Sequence, residues 1–237
     1  MTKFFIVCLI AVSSIAFTQE SFVSMNFGTS IPLGDYSGRK DITKQGFAMN
    51  GGVGEIFGGF AFSDYISGVV SVKFSSNFLD NDRARYALEE FVRESVPGEI
   101  PEGVEGDFRL GWWKNFSFMV GPQFNYEIKK LTFDAYLLVG FNICTSPDME
   151  VVIVNQNNTY QAKFSAQNFS FAFSPGAALR YQFSSKYALR LAYDYTLAKS
   201  DGEIKSNFDS AISGTRVGDY DLKVQNMHIT IGVVYGL

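Results

Sequence analysis

From Met227 to Tyr235 every second residue is apolar (Met227, Ile229, Ile231, Val233, Tyr235), and the residues between are His228, Thr230, Gly232 and Val234. Period-two alternation marks a β-strand with one apolar face. The pattern recurs along the chain. In 21–33, Val23, Met25, Phe27 and Ile31 oppose Ser24, Asn26, Gly28 and Ser30. In 68–74, Val70, Val72 and Phe74 oppose Ser71 and Lys73, with Ser75 following in phase. Residues 116–128, 131–143, 168–183 and 187–198 alternate in the same way, with rows such as Phe116, Phe118, Val120 and Leu189, Leu191, Tyr193 on one side. The Gly-rich stretch 47–62 has no clear phase, which predicts a bulge. The count is eight strands.

The connections alternate between short and long. Short turns are expected at 63–65, 129–130 and 184–186, and long ones at about 34–46, 79–108, 144–164 and 199–221. A soluble meander gives no reason for this sorting, whereas a transmembrane barrel has tight periplasmic turns and long outer loops. The polar rows decide between lipid outside and a ligand inside. A face in water is rich in Lys, Glu and Thr; here it is mostly Gly, Ser, Ala and Asn, small enough to fill a narrow lumen. The apolar rows carry no charge in seven of the eight strands. A Lys or Arg facing the bilayer midplane costs about 2–4 kcal/mol, and selection against that cost leaves such a record. The prediction is an all-β fold, an eight-stranded antiparallel up-and-down transmembrane β-barrel.

The first residues differ from the rest. Lys3 precedes the apolar run 4–17, and the sequence turns polar at Thr18, Gln19 and Glu20, as in a secretory signal cleaved after Ala16 or Thr18. Residues 1–18 are therefore assigned to a signal peptide and 19–237 to the barrel. Cys8 leaves with the signal, so Cys144 has no disulfide partner and reads as a small filler near a strand end. The net charge of −4 and the lack of a basic patch argue against nucleic acid.

The polar face carries few charges, and they nearly balance. Lys73, Arg180 and Arg190 stand against Glu127, Asp134 and Asp194, with Glu55 as a fourth acid and His228 beside them. Buried charges need partners, which predicts a lumen salt-bridge network that plugs the barrel. Aromatic residues make up 16% of the chain. Tyr65, Trp112, Trp113, Tyr126, Tyr181, Tyr187 and Tyr195 lie near strand ends, as interfacial girdles do.

The signal, "NFGTSIPLGDY", "WWKNFSFMVGPQF", "FSPGAALRYQF" and the closing alternation together resemble the small outer-membrane β-barrel proteins of Gram-negative bacteria, the porin-like family with OmpA- and OmpX-type transmembrane domains. The resemblance covers residues 20–237. It implies an outer-membrane location, contact with outer-membrane lipid, and Ile229, Ile231, Val233, Tyr235 and Leu237 as an assembly signal for the barrel-insertion machinery. Leu237 stands where the family usually ends in Phe.

Other features compete with bland alternatives. "NGGVGEIFGG" (50–59) has a Gly-x-Gly pattern but neither the spacing nor the following helix of a phosphate loop, so its glycines read as room for bulky lumen neighbours. His228 with Thr230 on one face hints at a lipid-processing enzyme, but no Ser nucleophile with an acidic orienter accompanies it, and a lumen histidine is favoured. Ala84, Ala87, Leu88, Phe91 and Val92 have helical spacing, ended at 96–98, in an acidic loop that restricts the mouth or binds a cation or a protein partner. Residues 151–164 suit a hairpin extending the wall. The sequons at Asn115, Asn157 and Asn168 carry little weight in a bacterium. The expected function is a structural or surface-interaction role with the lumen plugged, without cofactor or enzyme activity. A narrow channel for small or apolar solutes is the alternative, and a lipid-modifying enzyme a weaker one. An extracellular or periplasmic protein partner is left unidentified.

Overall fold

A sheet with one apolar face and one small polar face loses its open edges by closing on itself, and eight strands of this chain do so. The computed structural model describes residues 21–40, 44–87, 106–147, 149–155, 158–165, 167–208 and 217–237; the expected signal at 1–18 lies outside them. The wall is built from β1 (Phe22–Pro32), β2 (Ala48–Ala61), β3 (Ile66–Leu79), β5 (Trp113–Ile128), β6 (Leu131–Thr145), β9 (Gln167–Gln182), β10 (Tyr187–Phe208) and β11 (Val217–Gly236). Each pairs antiparallel with its neighbours, and β1 pairs with β11 from Phe22↔Gly236 to Pro32↔Asn226, which closes the barrel.

The stagger of this closed sheet governs its interior. One rung of paired residues runs Ser67, Gln123, Tyr136, Gly176, Asp194, His228, Ser30, Gly51 and returns to β3 at Asn77, ten residues beyond its start. A stagger of that size tilts the strands by about 40°. A rung is therefore a spiral that climbs from the turn end to the loop end.

The apolar rows face outward: Phe27 and Ile231 are each 61% exposed and Phe171 63%, while the alternate residues Ser24, Asn26, Ser71 and Thr230 are buried. The turns fall at 62–65, 129–130 and 183–186, close to the expected positions. The expected bulge is the register shift in β2 between Ala48 and Gly51. Its glycines divide by face. Gly59 makes room for the inward Phe22 ring, which a Cβ would meet at 2.6 Å. Gly52, Gly54 and Gly58 have the outward phase of Ile56 and Phe60, so they do not serve lumen neighbours as expected.

The loop end departs from the simplest pattern. The expected loop 199–221 is largely paired strand, with Lys199↔Lys223 continuing to Lys205↔Val217. Apolar alternation stops where the wall leaves hydrocarbon, but backbone pairing does not. Strands β7 (Met149–Asn155) and β8 (Asn158–Ser165) form the expected hairpin, which joins the upper end of β10 and carries β4 (Gly106–Leu110) at its far edge. Residues 81–87 are helical, and the Asp80 carboxylate accepts from Arg83 N–H at 3.4 Å as an N-cap does. Leu88, Phe91 and Val92, the rest of the expected amphipathic face, lie outside the described residues, as does Asn157.

The two-residue turn at 129–130 places Lys129 at φ 60°. A side chain there costs about 1 kcal/mol relative to glycine. Lys129→Gly is expected to raise the unfolding free energy by about that amount, seen as a higher urea midpoint for the barrel in lipid vesicles.

Candidate functional site: the closed lumen

The inward rows deliver the charges to one another across the lumen. Glu55, Lys73, Arg190, Asp194 and His228 are each at most 3% exposed. Lys73 on β3 donates a short hydrogen bond across the interior to Asp194 on β10, and its Nζ lies 3.8 Å from Glu55, its cross-strand neighbour. The Glu55 carboxylate also accepts from Ser71 Oγ at 2.7 Å, Asn26 Nδ2 at 3.1 Å and Arg190 Nη1 at 3.4 Å. Asp194 accepts from Ser174 Oγ at 3.3 Å and Thr196 Oγ1 at 3.4 Å, and its Oδ1 lies 2.9 Å from His228 Nδ1. A carboxylate only accepts, so Nδ1 carries the proton of that contact. The Arg190 guanidinium sits 4.2 Å over the Phe57 ring, which stabilises a desolvated cation.

A second pair lies nearer the turn end. Arg180 on β9 grips Asp134 on β6 through two bonds of 2.7 and 2.8 Å, and its Cζ lies 4.8 Å over the Phe22 ring. Arg180 and Arg190 are direct cross-strand neighbours, and the opposed carboxylates of Asp134 and Glu55 hold the two like charges apart. Three buried acids and three cations therefore balance, leaving His228 aside, among the described residues.

Glu127 is placed differently from the expectation. It is exposed at the turn end of β5 and lines a vestibule of about 640 Å³ with Thr132, Arg180 and Gln182. A carboxylate at a wet strand end keeps its hydration and gains nothing from a buried partner. Period two gives its face correctly but not its depth; Glu55 occupies the centre instead.

Apolar groups that alternation alone does not reveal gather at the loop end. Residues 33–40 fold inward through a 3-10 turn (Gly34–Ser37) that buries Tyr36 completely. Tyr36 meets Trp113 edge-on with ring centroids 5.3 Å apart, and Trp113 Nε1 donates to the Gly46 carbonyl at 2.7 Å. Trp113, expected in the girdle, is 4% exposed and belongs to this cap, because it opens the inward phase of β5. Phe47, Leu79, Ala84, Ala87 and Leu222 complete the cap, with Cys144 buried among them. Below it Ser117 donates to Asn142, Asn142 to Asn115, and Asn115 to the Tyr36 hydroxyl, at 2.8, 3.3 and 3.0 Å.

Outside the wall, Tyr65, Trp112, Tyr126, Tyr181 and Tyr187 are exposed, and Tyr195 is half-buried. Ring pairs gather at both ends: Phe183–Tyr187 and Tyr65–Phe124 beside the turns, Phe78–Trp112 and Phe141–Phe169 beside the loops. Ile229, Ile231 and Val233 are exposed on the outward side of β11, with Tyr235 half-buried against Tyr187, while Leu237 lies one residue past the strand, exposed at the vestibule. No group of three or more potential metal-ligating His, Cys, Asp or Glu is found among the described residues.

The family described as "Outer membrane protein beta-barrel domain" matches residues 4–236, and the chain belongs to it. Compared by sequence, no curated protein matches. Among solved structures, the outer membrane protein OprG from Pseudomonas aeruginosa has a TM-score of 0.52 at 14% identity, with 92% of this chain and 96% of that one covered. A major outer membrane protein from Thermus thermophilus has a TM-score of 0.52 at 9% identity, covering 93% and 100%. Ail of Yersinia pestis, crystallised with the heparin analogue sucrose octasulfate, has a TM-score of 0.46 at 15% identity, covering 93% and 100%. At these identities the likeness is one of fold.

Removing one member of the central network strands its partners in a low dielectric. Lys73→Met is expected to lower stability by about 3–5 kcal/mol, read as a lower urea midpoint. Adding Asp194→Leu to it is expected to recover part of that loss, so a double-mutant cycle yields a positive coupling energy.

Proposed function

We propose that this protein is a non-conducting, non-enzymatic barrel of the Gram-negative outer membrane, with a structural role or an interaction role carried by its outer loops. It is exported by the signal at residues 1–18, faces lipid with its apolar rows, and offers Ile229, Ile231, Val233, Tyr235 and Leu237 to the assembly machinery during insertion. The observation that carries the reading is closure at two levels. The Glu55–Lys73–Asp194–Arg190 network spans the middle, and the Tyr36–Phe47–Trp113 cap fills the loop end. Interior ion pairs held from several strands resist the passage of a hydrated ion, because each pair must break for it to pass. A catalytic histidine must reach its substrate. His228 is 2% exposed and engaged with Asp194, out of reach of a lipid.

The test is a planar-bilayer recording on the full-length processed barrel, with folding checked by the mobility difference between unheated and boiled samples on a gel. A heat-modifiable band with no stepwise current is expected. Stable unit conductance from the folded protein would replace this reading with the narrow channel for small or apolar solutes.

A further inference from the structure

We infer that the turn-side part of the lumen is a blind, water-filled channel that climbs from the vestibule to His228 and stops below the aromatic cap. It deepens the non-conducting reading above and rests on it, since only a capped barrel makes such a channel blind.

The spiral rung carries the argument. It starts at Ser67, a vestibule residue, and passes Gln123, Tyr136, Gly176 and Asp194 to reach His228. Gln123 Oε1, Tyr136 Oη, Asp194 Oδ2 and His228 Nε2 are all buried and have no hydrogen-bond partner in the protein. Gly176 interrupts the series only in name: the Tyr136 hydroxyl lies over it, 2.7 Å from where a Cβ would be. At about 4.8 Å per strand the path from β3 to β11 is about 24 Å long. Side branches lie along the same strands, with Arg190 Nε and Nη2 below Asp194, and Asn226 Oδ1 and Thr230 Oγ1 on either side of His228. Asn26 Oδ1 joins them across Gly232, 2.3 Å from where its Cβ would stand.

Each such atom left dry carries an uncompensated desolvation penalty, which a folded protein does not sustain over a whole series. Ordered water needs a polar site with two to four partners. Gln123 Oε1, Asp194 Oδ2, Asn226 Oδ1 and His228 Nε2 accept, whereas Arg190 Nε and Nη2 donate, and water can serve both kinds. The contrast with the loop side sets the upper limit. Past His228 the same rung reaches Ser30 and Asn77, which satisfy each other: Ser30 Oγ lies 3.2 Å from Asn77 Oδ1, and Asn77 Nδ2 donates to the Ser30 carbonyl at 3.2 Å. The Ser117–Asn142–Asn115–Tyr36 chain is likewise linked side chain to side chain, and above it Leu222, Phe47 and Trp113 are apolar. Water therefore enters from the turns and meets a dry end.

The chain has one histidine, so 15N-histidine labelling of the full-length barrel in lipid bilayers yields a single imidazole signal. Water-edited solid-state NMR is expected to transfer magnetisation from mobile water to the His228 ring, and its Nδ1–H to exchange in D2O within minutes. Ala188→Trp, which fills the vestibule wall, is expected to slow both several-fold in a barrel that keeps its heat-dependent gel shift. A ring that receives no transfer and stays protected for days in the unsubstituted protein overturns the inference, whatever the variant does. A conducting bilayer with a wet ring overturns the capped reading instead; a silent bilayer with a dry ring overturns the blind channel alone.

Discussion

In hydrocarbon, a backbone N–H or C=O without a partner costs several kcal/mol, so a sheet survives there only without edges. The pairing of β1 with β11 is therefore the contact on which the rest depends. It fixes the strand number at eight and the stagger at ten residues. Together these set a lumen that side chains can fill. They also set which residues meet inside. Lys73 on β3 and Asp194 on β10 are distant in the sheet, and closure with this stagger brings them within contact across the interior.

The buried charges have more to do with register than with net stability. Ion pairs away from water often contribute little once their desolvation is counted. A slipped register is a different matter. Shifting one strand by a single residue turns its whole inner row to lipid, so Lys73 or Arg190 would face acyl chains at a cost of about 2–4 kcal/mol each. The correct register gives each charge a partner and the alternatives give it hydrocarbon. The Arg180–Arg190 neighbours make the same point: opposed like charges are tolerated because Asp134 and Glu55 hold them from different sides.

Much of the wall is legible in the sequence because two surroundings act on every strand and leave a period-two imprint. The eight strands, the three short turns, the bulge in β2 and the hairpin at 149–165 follow from that imprint and from turn chemistry. Depth along a strand leaves no comparable mark, and there expectation and structure part. Glu127 and Glu55 have the same phase, yet one lies at a wet rim and the other in the centre. Trp113 stands at a strand end like Trp112, but one residue of phase turns it into the lumen. Phe22 and Phe57 point inward as cation partners for Arg180 and Arg190, a role that composition does not advertise. The paired extension of β10 and β11 reads as loop because alternation fades once neither face meets lipid, while hydrogen bonding persists.

The cap differs in kind from the wall, and its backbone shows this. Phe47 has φ 51°, a conformation that costs an aromatic residue about 1–3 kcal/mol. It is held by its N–H donating to the Gly38 carbonyl at 3.0 Å, by its own carbonyl accepting from Asp80 at 2.9 Å, and by burial of its ring. Asp80 also caps the helix at 81–87 and pairs with Arg39, so one residue ties the inserted segment to the next loop. The cap thus arises from contacts between two loops and the rim. The closing pairs of the wall lie in β1 and β11, outside these loops. The hydrogen bonds that hold Phe47 and Asp80 thus lie apart from the β1–β11 pairs that close the wall.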